Sequence, residues 1–92
     1  MIESIRHKGL RQLFEDDNAK GVNAEHVRKL KQILATLHTA KTIEGMQVPT
    51  FGLHALKGEL KGTWAVTVRA NWRVIFRFED GQARDVDLVD YH

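Results

Sequence analysis

The 92 residues carry 14 Lys and Arg against 12 Asp and Glu, so the formal charge is only +2. A hydrophobic share of 42% and a charged share of 28% exclude a disordered chain. No stretch approaches the roughly 20 apolar residues of a membrane span, and the absence of cysteine excludes disulfides and thiolate metal sites. The length predicts a single domain over residues 1–92, and the lack of a signal peptide at the start favours a cytoplasmic protein.

The first half of the chain has the spacing of helices. Ile2 and Ile5 predict a short extended segment, and apolar residues at helical spacing predict a first helix over residues 8–16. A second helix is predicted to start near Asn23, a good N-cap residue, and to fade beyond residue 40. Its apolar stripe, typical of core packing, consists of Val27, Leu30, Ile33, Leu34 and Leu37.

The second half has the alternation of strands. Residues 47–62 form an irregular stretch, which we expect to be anchored by Leu53, Leu56 and Leu60. Three strands follow, and the second alternates an apolar face with a face carrying Arg73, Ile75 and Arg77. The order of these elements predicts an α+β fold with two N-terminal helices packed on one face of a small, mainly antiparallel sheet.

The apolar pattern also predicts how the last two strands pair. A three-residue loop over Glu79–Gly81 would pair Val74 with Val86 and would set Arg73 opposite Asp87. A two-residue turn would instead place Asp87 opposite Val74 and bury a charge. We therefore predict the three-residue loop.

An odd-length loop is likewise expected in the preceding hairpin, since it keeps Val66 and Val68 on the apolar face. The opposite face, with Arg73, Arg77 and by alternation Tyr91, is then left to solvent or to a ligand. Strict alternation turns the residues on either side of Tyr91 away from that face.

Charge is unevenly distributed over the predicted strands. Between residues 54 and 77 a single acid, Glu59, stands among five cations: Lys57, Lys61, Arg69, Arg73 and Arg77. Carboxylates dominate afterwards. A basic segment that leads into an acidic one suggests a surface facing a polyanion beside intramolecular ion pairs, although a solvated sheet face of alternating charge has the same pattern.

The residues suited to proton transfer lie in two places. The last strand leads directly into Asp90, Tyr91 and His92. Together with the terminal carboxylate these side chains offer acid and base groups. The alternative is that this end of the chain is a frayed, solvated terminus. His54 and Lys57 lie three residues apart on the tethered irregular stretch, where functional side chains often gather.

The other histidines, His7, His26 and His38, are interpreted as structural because no metal-ligand spacing links them. No HExxH motif, phosphate-binding glycine loop or serine triad is present, so we predict no metal and no cofactor. His, Asp, Tyr, Lys and Arg side chains suit phosphodiester cleavage without a metal, which needs proton transfer and cations to stabilise the phosphorane charge.

Three spaced motifs carry a family resemblance: Leu53 to Gly58, Thr67 to Arg73, and the closing Asp90-Tyr91-His92. They resemble the HigB branch of the RelE/ParE toxin superfamily, and the similarity extends over essentially the whole chain. The resemblance implies a compact RelE-like microbial ribonuclease fold. It further implies a ribosome-dependent endonuclease that inhibits translation by cleaving messenger RNA in the ribosomal A site without a metal. The catalytic residues it implies are His54, Asp90, Tyr91 and His92, and the RNA- and phosphate-binding residues are Lys57, Arg69, Asn71 and Arg73.

The same resemblance implies the partners. These are the ribosome with its messenger RNA, and a helix-turn-helix antitoxin similar to HigA that forms a hetero-oligomeric complex. Operator DNA would be bound only through the antitoxin, and no membrane partner is expected. The alternatives are a ParE-like gyrase inhibitor and a non-catalytic nucleic-acid-binding module. Which of His54, Asp90 and His92 is the general base stays open, as does whether the antitoxin covers the active site.

Overall fold

A computed structural model describes residues 1–91, and His92 lies outside the described residues. Within that range the chain forms an α+β fold with a four-stranded antiparallel sheet of order β1-β2-β3-β4. Its helices and strands are α1 (Lys8–Asp16), α2 (Val27–Thr39), β1 (His54–Ala55), β2 (Thr63–Arg69), β3 (Trp72–Glu79) and β4 (Gln82–Asp90).

A side chain caps the start of α1, and another caps the short turn that leads into α2. The imidazole of His7 accepts a hydrogen bond from the Leu10 N–H at the start of α1. The side chain of Asn23 accepts one from the Glu25 N–H and opens a 3₁₀ turn, Ala24–His26, that runs into α2. The predicted first helix is confirmed, and in α2 the predicted stripe is confirmed because its last four members are buried, namely Leu30, Ile33, Leu34 and Leu37.

The N-terminal segment runs parallel to β4. Isolated bridges pair Ile2 with Ala83 and Ile5 with Val86, so the predicted extended segment forms two bridges rather than a continuous strand. Ile5 is buried. The segment therefore covers part of the edge of the sheet that β4 would otherwise expose.

The irregular stretch before β2 is anchored differently from the prediction. Leu56 is buried and Leu53 packs against the core, but Leu60 is 42% exposed, so its predicted anchoring role was wrong. The main anchor is Phe51, whose side chain is fully buried and whose carbonyl accepts a hydrogen bond from the Thr67 N–H at 2.7 Å. This contact fixes the chain just before His54.

The loop predicted between β3 and β4 was wrong. Glu79 pairs with Gln82 around a two-residue turn in which Asp80 and Gly81 both have positive φ, 51° and 75°, as a type I′ turn requires. The register then shifts by one residue at a bulge where Asp85 has a φ of 52°.

This bulge removes the conflict that the two-residue turn was expected to cause. Val74 pairs with Leu88, so an apolar residue rather than Asp87 lies opposite it. Arg73 pairs with Val89, and the expected juxtaposition of Arg73 and Asp87 was also wrong. The one extra residue that the apolar pattern requires lies in the bulge and not in the loop.

The β2–β3 hairpin has the same construction. Arg69 pairs with Trp72 around a two-residue turn, and the register shifts between Thr67 and Arg69. The odd-length loop expected there was wrong. Val66 nevertheless lies opposite Val74, and Val66 is fully buried.

A buried hydrophobic cluster joins the helices to the strands. It contains Leu10 and Leu13 of α1, the stripe of α2, and residues of β2, β3 and β4 such as Val74 and Phe76. We call the sheet face that carries Val74 and Phe76 the core face, and the face that carries Arg73 and Ile75 the open face. No helix within residues 1–91 is long and apolar enough to cross a membrane.

Candidate active site

His54 lies on β1 at one edge of the sheet, with an exposed side chain. Its Nδ1 is 3.0 Å from the carbonyl oxygen of Gly52. A carbonyl can only accept a hydrogen bond, so Nδ1 must be the donor and the neutral ring carries its proton there. The lone pair of Nε2 is therefore free to take up a proton from a bound ligand.

Two other histidines have the opposite arrangement. Nδ1 of His7 accepts the Leu10 N–H at 3.0 Å, and Nδ1 of His38 accepts the Ile2 N–H at 3.1 Å. In the neutral form each ring then holds its proton on Nε2. These bonds cap α1 and hold the N-terminal segment, which confirms that both residues have structural roles.

The register orders the side chains of the open face in rows. One row runs from His54 through Ala65 and Ile75 to Asp87. The next row, one step closer to the end of β4, contains Arg73 together with Thr67 and Val89. Arg73 therefore lies between His54 and the last residues of the chain.

The guanidinium of Arg73 is held by the β2–β3 turn. Its Nη1 donates to the carbonyl oxygens of Ala70 and Trp72. Over the described residues no carboxylate lies within ion-pairing distance of it. The cation is fixed in position by neutral acceptors, so no carboxylate among residues 1–91 neutralises its charge.

Tyr91 is tethered to the same turn. Its backbone N–H donates to the carbonyl oxygen of Asn71 at 2.7 Å, and its side chain is 39% exposed. The chain is thus held in place as far as Tyr91. Asp90 pairs with Trp72 across the strands and so points toward the core face, as strict alternation predicted.

The predicted cations differ in whether they are paired. Arg69 forms an exposed ion pair with Glu25 at 3.1 Å, a contact between residues 44 positions apart. Lys57 is exposed directly after β1, and in the described part of the chain no carboxylate pairs with it or with Arg77. Arg73 and Arg77 of the open face, and Lys57 beyond the end of β1, are therefore unpaired with any carboxylate of residues 1–91, in contrast to Arg69.

The predicted site residues form two groups. Asn71, Arg73 and Tyr91 meet at the β2–β3 turn, while His54 and Lys57 lie at the β1 edge. Three strand spacings of about 4.8 Å separate β1 from β4, and two separate β1 from β3. Across the sheet, the backbone at the end of β4 is therefore about 14 Å from β1, and that of Arg73 is about 10 Å from it. Of the other predicted residues, Asp90 lies opposite Trp72 and Arg69 is paired with Glu25, whereas His92 lies outside the described residues.

Among residues 1–91 no three His, Asp or Glu side chains cluster as metal ligands would. One residue was missed as a candidate. His26 is only 5% exposed, and its ring centroid lies 5.7 Å from that of Trp72. Its position four residues before Leu30 places it on the buried stripe of α2, which was a signal available in the sequence.

Two comparisons with known proteins identify the family of this chain. Residues 3–92 match the family of HigB-like toxins, described as RelE-like toxins of type II toxin-antitoxin systems. The chain is also 42% identical over 92 residues to an endoribonuclease HigB of Proteus vulgaris, with all of both chains covered. The chain therefore belongs to the HigB-like family of RelE-like toxins of type II toxin-antitoxin systems.

Proposed function

We propose that this chain is an endoribonuclease toxin that cleaves messenger RNA in the ribosomal A site and thereby inhibits translation. Membership of the toxin family and a relative named as an endoribonuclease support the activity. We further propose that residues 1–92 form one RelE-like domain whose helices pack on one face of the sheet. The enzyme would act in the cytoplasm, where messages are translated.

The free Nε2 lone pair of His54 is the observation that carries the mechanism. In the proposed first step it accepts the proton of a ribose 2′-hydroxyl. The 2′-oxygen then attacks the adjacent phosphorus, the bond from phosphorus to the 5′-oxygen breaks, and a 2′,3′-cyclic phosphate forms. A positioned general base contributes about 10² to 10⁴ in rate.

The second proton transfer is assigned to the other end of the open face. In an in-line displacement the attacking and leaving oxygens lie on opposite sides of the phosphorus, so acid and base should be separated as well. His54 lies at one edge, and the C-terminal triplet Asp90, Tyr91 and His92 leaves the last strand. We assign protonation of the leaving 5′-oxygen to this triplet, with Tyr91 orienting a base by stacking.

Cations between these two positions stabilise the transition state. Arg73 lies between His54 and Tyr91 in the register and is held by the β2–β3 turn without a carboxylate partner in residues 1–91. Together with Lys57 it would bind the phosphate as negative charge develops on its oxygens. Asn71, whose carbonyl holds Tyr91, would contact the neighbouring base, and no metal takes part.

A toxin of this kind needs an inhibitor in its own host. The family implies a protein antitoxin. We propose that this antitoxin is similar to HigA, carries a helix-turn-helix and forms a hetero-oligomeric complex with this chain. Operator DNA would be contacted by the antitoxin and not by this chain. Arg73 and Arg77 on the open face offer positive charge that would steer an acidic segment of that partner.

The experiment compares cleavage of one message free in solution and bound to translating ribosomes, both in the presence of EDTA. We expect cleavage only on ribosomes, with a cyclic phosphate at the new 3′ end, and no cleavage when a 2′-deoxynucleotide replaces the scissile nucleotide. Cleavage of the deoxy-substituted message would exclude the 2′-hydroxyl mechanism. Growth arrest without any cleavage would instead favour the gyrase-inhibiting or purely binding alternative.

A further inference from the structure

A pocket of about 360 Å³ lies on the side of the molecule away from the open face. It is lined by the start of α1, by the loop and turn that lead into α2, and by the ends of β3 and β4, including His7, Lys20, Asn23, His26, Trp72 and Leu88. We propose that this pocket binds one nucleotide of the RNA strand, with its base against Trp72. The inference extends the proposed function, because it assigns a second subsite for the same substrate.

His26 gives the first argument. The residue is only 5% exposed, and its side chain makes no hydrogen bond to any described residue. Yet no buried side-chain nitrogen or oxygen within residues 1–91 lacks a partner. The ring nitrogens of His26 must therefore be accessible, and the pocket that the ring lines is where they are reached. An accessible ring nitrogen in a residue that is otherwise buried can form a hydrogen bond to a ligand that enters the pocket.

The other polar side chains of the pocket can act as donors. His7 carries its proton on Nε2, because Nδ1 accepts from Leu10, and the Oδ1 of Asn23 is occupied by the Glu25 N–H, which leaves its amide N–H groups free. Lys20 adds a positive charge, and no carboxylate is among the residues that line the pocket. Donors suit the ring nitrogens and carbonyl oxygens of a base, and the ammonium suits its phosphate.

Trp72 supplies the surface on which a base would stack. The residue is half-buried, and its indole ring packs at a tilt of 59° against the ring of His26. Stacking of a base on an aromatic side chain contributes about 1–3 kcal/mol and tolerates different bases. The volume also falls within the range of about 300–1,000 Å³ that is usual for small-ligand pockets.

The wall of the pocket is fixed by a close backbone contact. A Cβ placed on Gly9 would lie 2.1 Å from the Gly21 carbonyl oxygen, and one on Gly21 would lie 2.5 Å from the Gly9 Cα. The loop that carries Lys20 and Asn23 is therefore packed directly against α1. A site that is already formed loses less free energy to ordering when a ligand binds.

The pocket adjoins the proposed active site through the strand pairing. Trp72 pairs with Asp90, so both lie on the core face at the same end of the sheet. Arg73 and Tyr91 lie around the β2–β3 turn on the open side. A single RNA strand that passes over this turn would place one phosphate at Arg73 and a neighbouring nucleotide in the pocket.

The test is a titration of the full-length, ¹⁵N-labelled chain with adenosine 5′-monophosphate, followed by the indole N–H resonances of its two tryptophans. We expect the Trp72 signal to shift. Trp64 is an internal control because it pairs with Ala55 and Phe76 and does not line the pocket. An unchanged Trp72 signal at millimolar nucleotide would overturn the proposal.

Variants separate the contributions. His26→Phe keeps a buried ring and removes both nitrogens, and we expect binding about five- to tenfold weaker, the equivalent of about one hydrogen bond. Lys20→Ala should weaken binding of the nucleotide but not of adenosine. Lys41→Ala is the matched control, because Lys41 lies beside Gly81 at the opposite end of the β3–β4 hairpin. Wild-type affinity in both His26→Phe and Lys20→Ala would contradict the proposal.

This test is independent of catalysis. A His54→Ala variant should still bind the nucleotide at Trp72, whether or not it cleaves RNA. If the nucleotide shifts signals of His54 and leaves Trp72 unchanged, the pocket is not a subsite and the proposed function stands. If Trp72 shifts in a chain that cleaves no RNA under any condition, the pocket stands and the proposed function fails.

Discussion

At the scale of single residues, the tautomer of His54 differs from those of His7 and His38. His54 alone, among the histidines of residues 1–91 whose rings have a hydrogen bond, uses Nδ1 as the donor and leaves Nε2 as an acceptor. The sequence identified His54 through its motif, but it could not predict this tautomer. The deciding partner is the carbonyl of Gly52, which is set by the local path of the chain and not by residue type.

Arg73→Ala should lower the rate of RNA cleavage about 10²-fold, since one donor that stabilises transition-state charge is removed. Arg77→Ala is the matched control. It removes an exposed cation from the same face of β3 but two rows away, so the rate should stay within about twofold. Cleavage on ribosome-bound message and thermal melting of both variants provide the measurement. An unchanged rate with a lowered melting temperature would leave Arg73 a purely structural role.

Deletion of His92 should eliminate growth inhibition and leave the melting temperature unchanged. His92 is the last residue of the motif that the family resemblance assigns to catalysis, whereas the hydrogen bond from Tyr91 to Asn71 already holds the chain before it. Growth after induction, at matched protein levels, provides the measurement. Continued arrest by the shortened chain would show that His92 is dispensable.

At the scale of elements, helices and strands followed from the pattern of apolar residues, but the hairpin loops did not. The alternation of apolar residues fixes only whether the number of residues between two paired apolar positions is odd or even. A longer loop and a bulge within the strand satisfy that count equally well, and both hairpins use a two-residue turn with a bulge. The wrong choice of loop also produced the wrong partner for Arg73.

The β4 bulge can be tested through the positive φ of Asp85, which is 52°. Asp85→Val should lower the free energy of unfolding by about 1–2 kcal/mol relative to Asp85→Asn, because asparagine tolerates left-handed backbone and a β-branched residue does not. Both variants lose the exposed contact with Arg6, so this loss cancels in the comparison. Urea unfolding measures the difference, and equal stability of the two variants would argue against the bulge.

At the scale of the whole molecule, long-range ion pairs determine which surface cations are neutralised. Glu25 pairs with Arg69, and Glu3 pairs with Arg84, in contacts that no local pattern reveals. Within the basic segment Arg69 is thereby paired, whereas Arg73 and Arg77 of the open face have no carboxylate partner among residues 1–91. Charge counting predicted the polyanion-facing surface, but only the fold distinguishes which of its residues have carboxylate partners.

The antitoxin complex gives a prediction at this scale. We expect the antitoxin to block access to the ribosome by its bulk and to leave the active site open, because the helix-turn-helix partner proposed above would add a DNA-binding domain to the bulk of the complex. Hydrogen exchange of the toxin, alone and in the complex, provides the measurement. Amide protection of His54 and Ala55 should be unchanged, and strong new protection there would favour direct occlusion.

Single-turnover cleavage of ribosome-bound message tests whether His54 is the general base of an RNA-cleaving toxin. The wild-type chain and His54→Ala should differ about 10²- to 10⁴-fold in rate. Their melting temperatures should agree, because the exposed ring makes one hydrogen bond to the described chain, to Gly52. A folded His54→Ala variant that cleaves at the wild-type rate would show that His54 is not the general base.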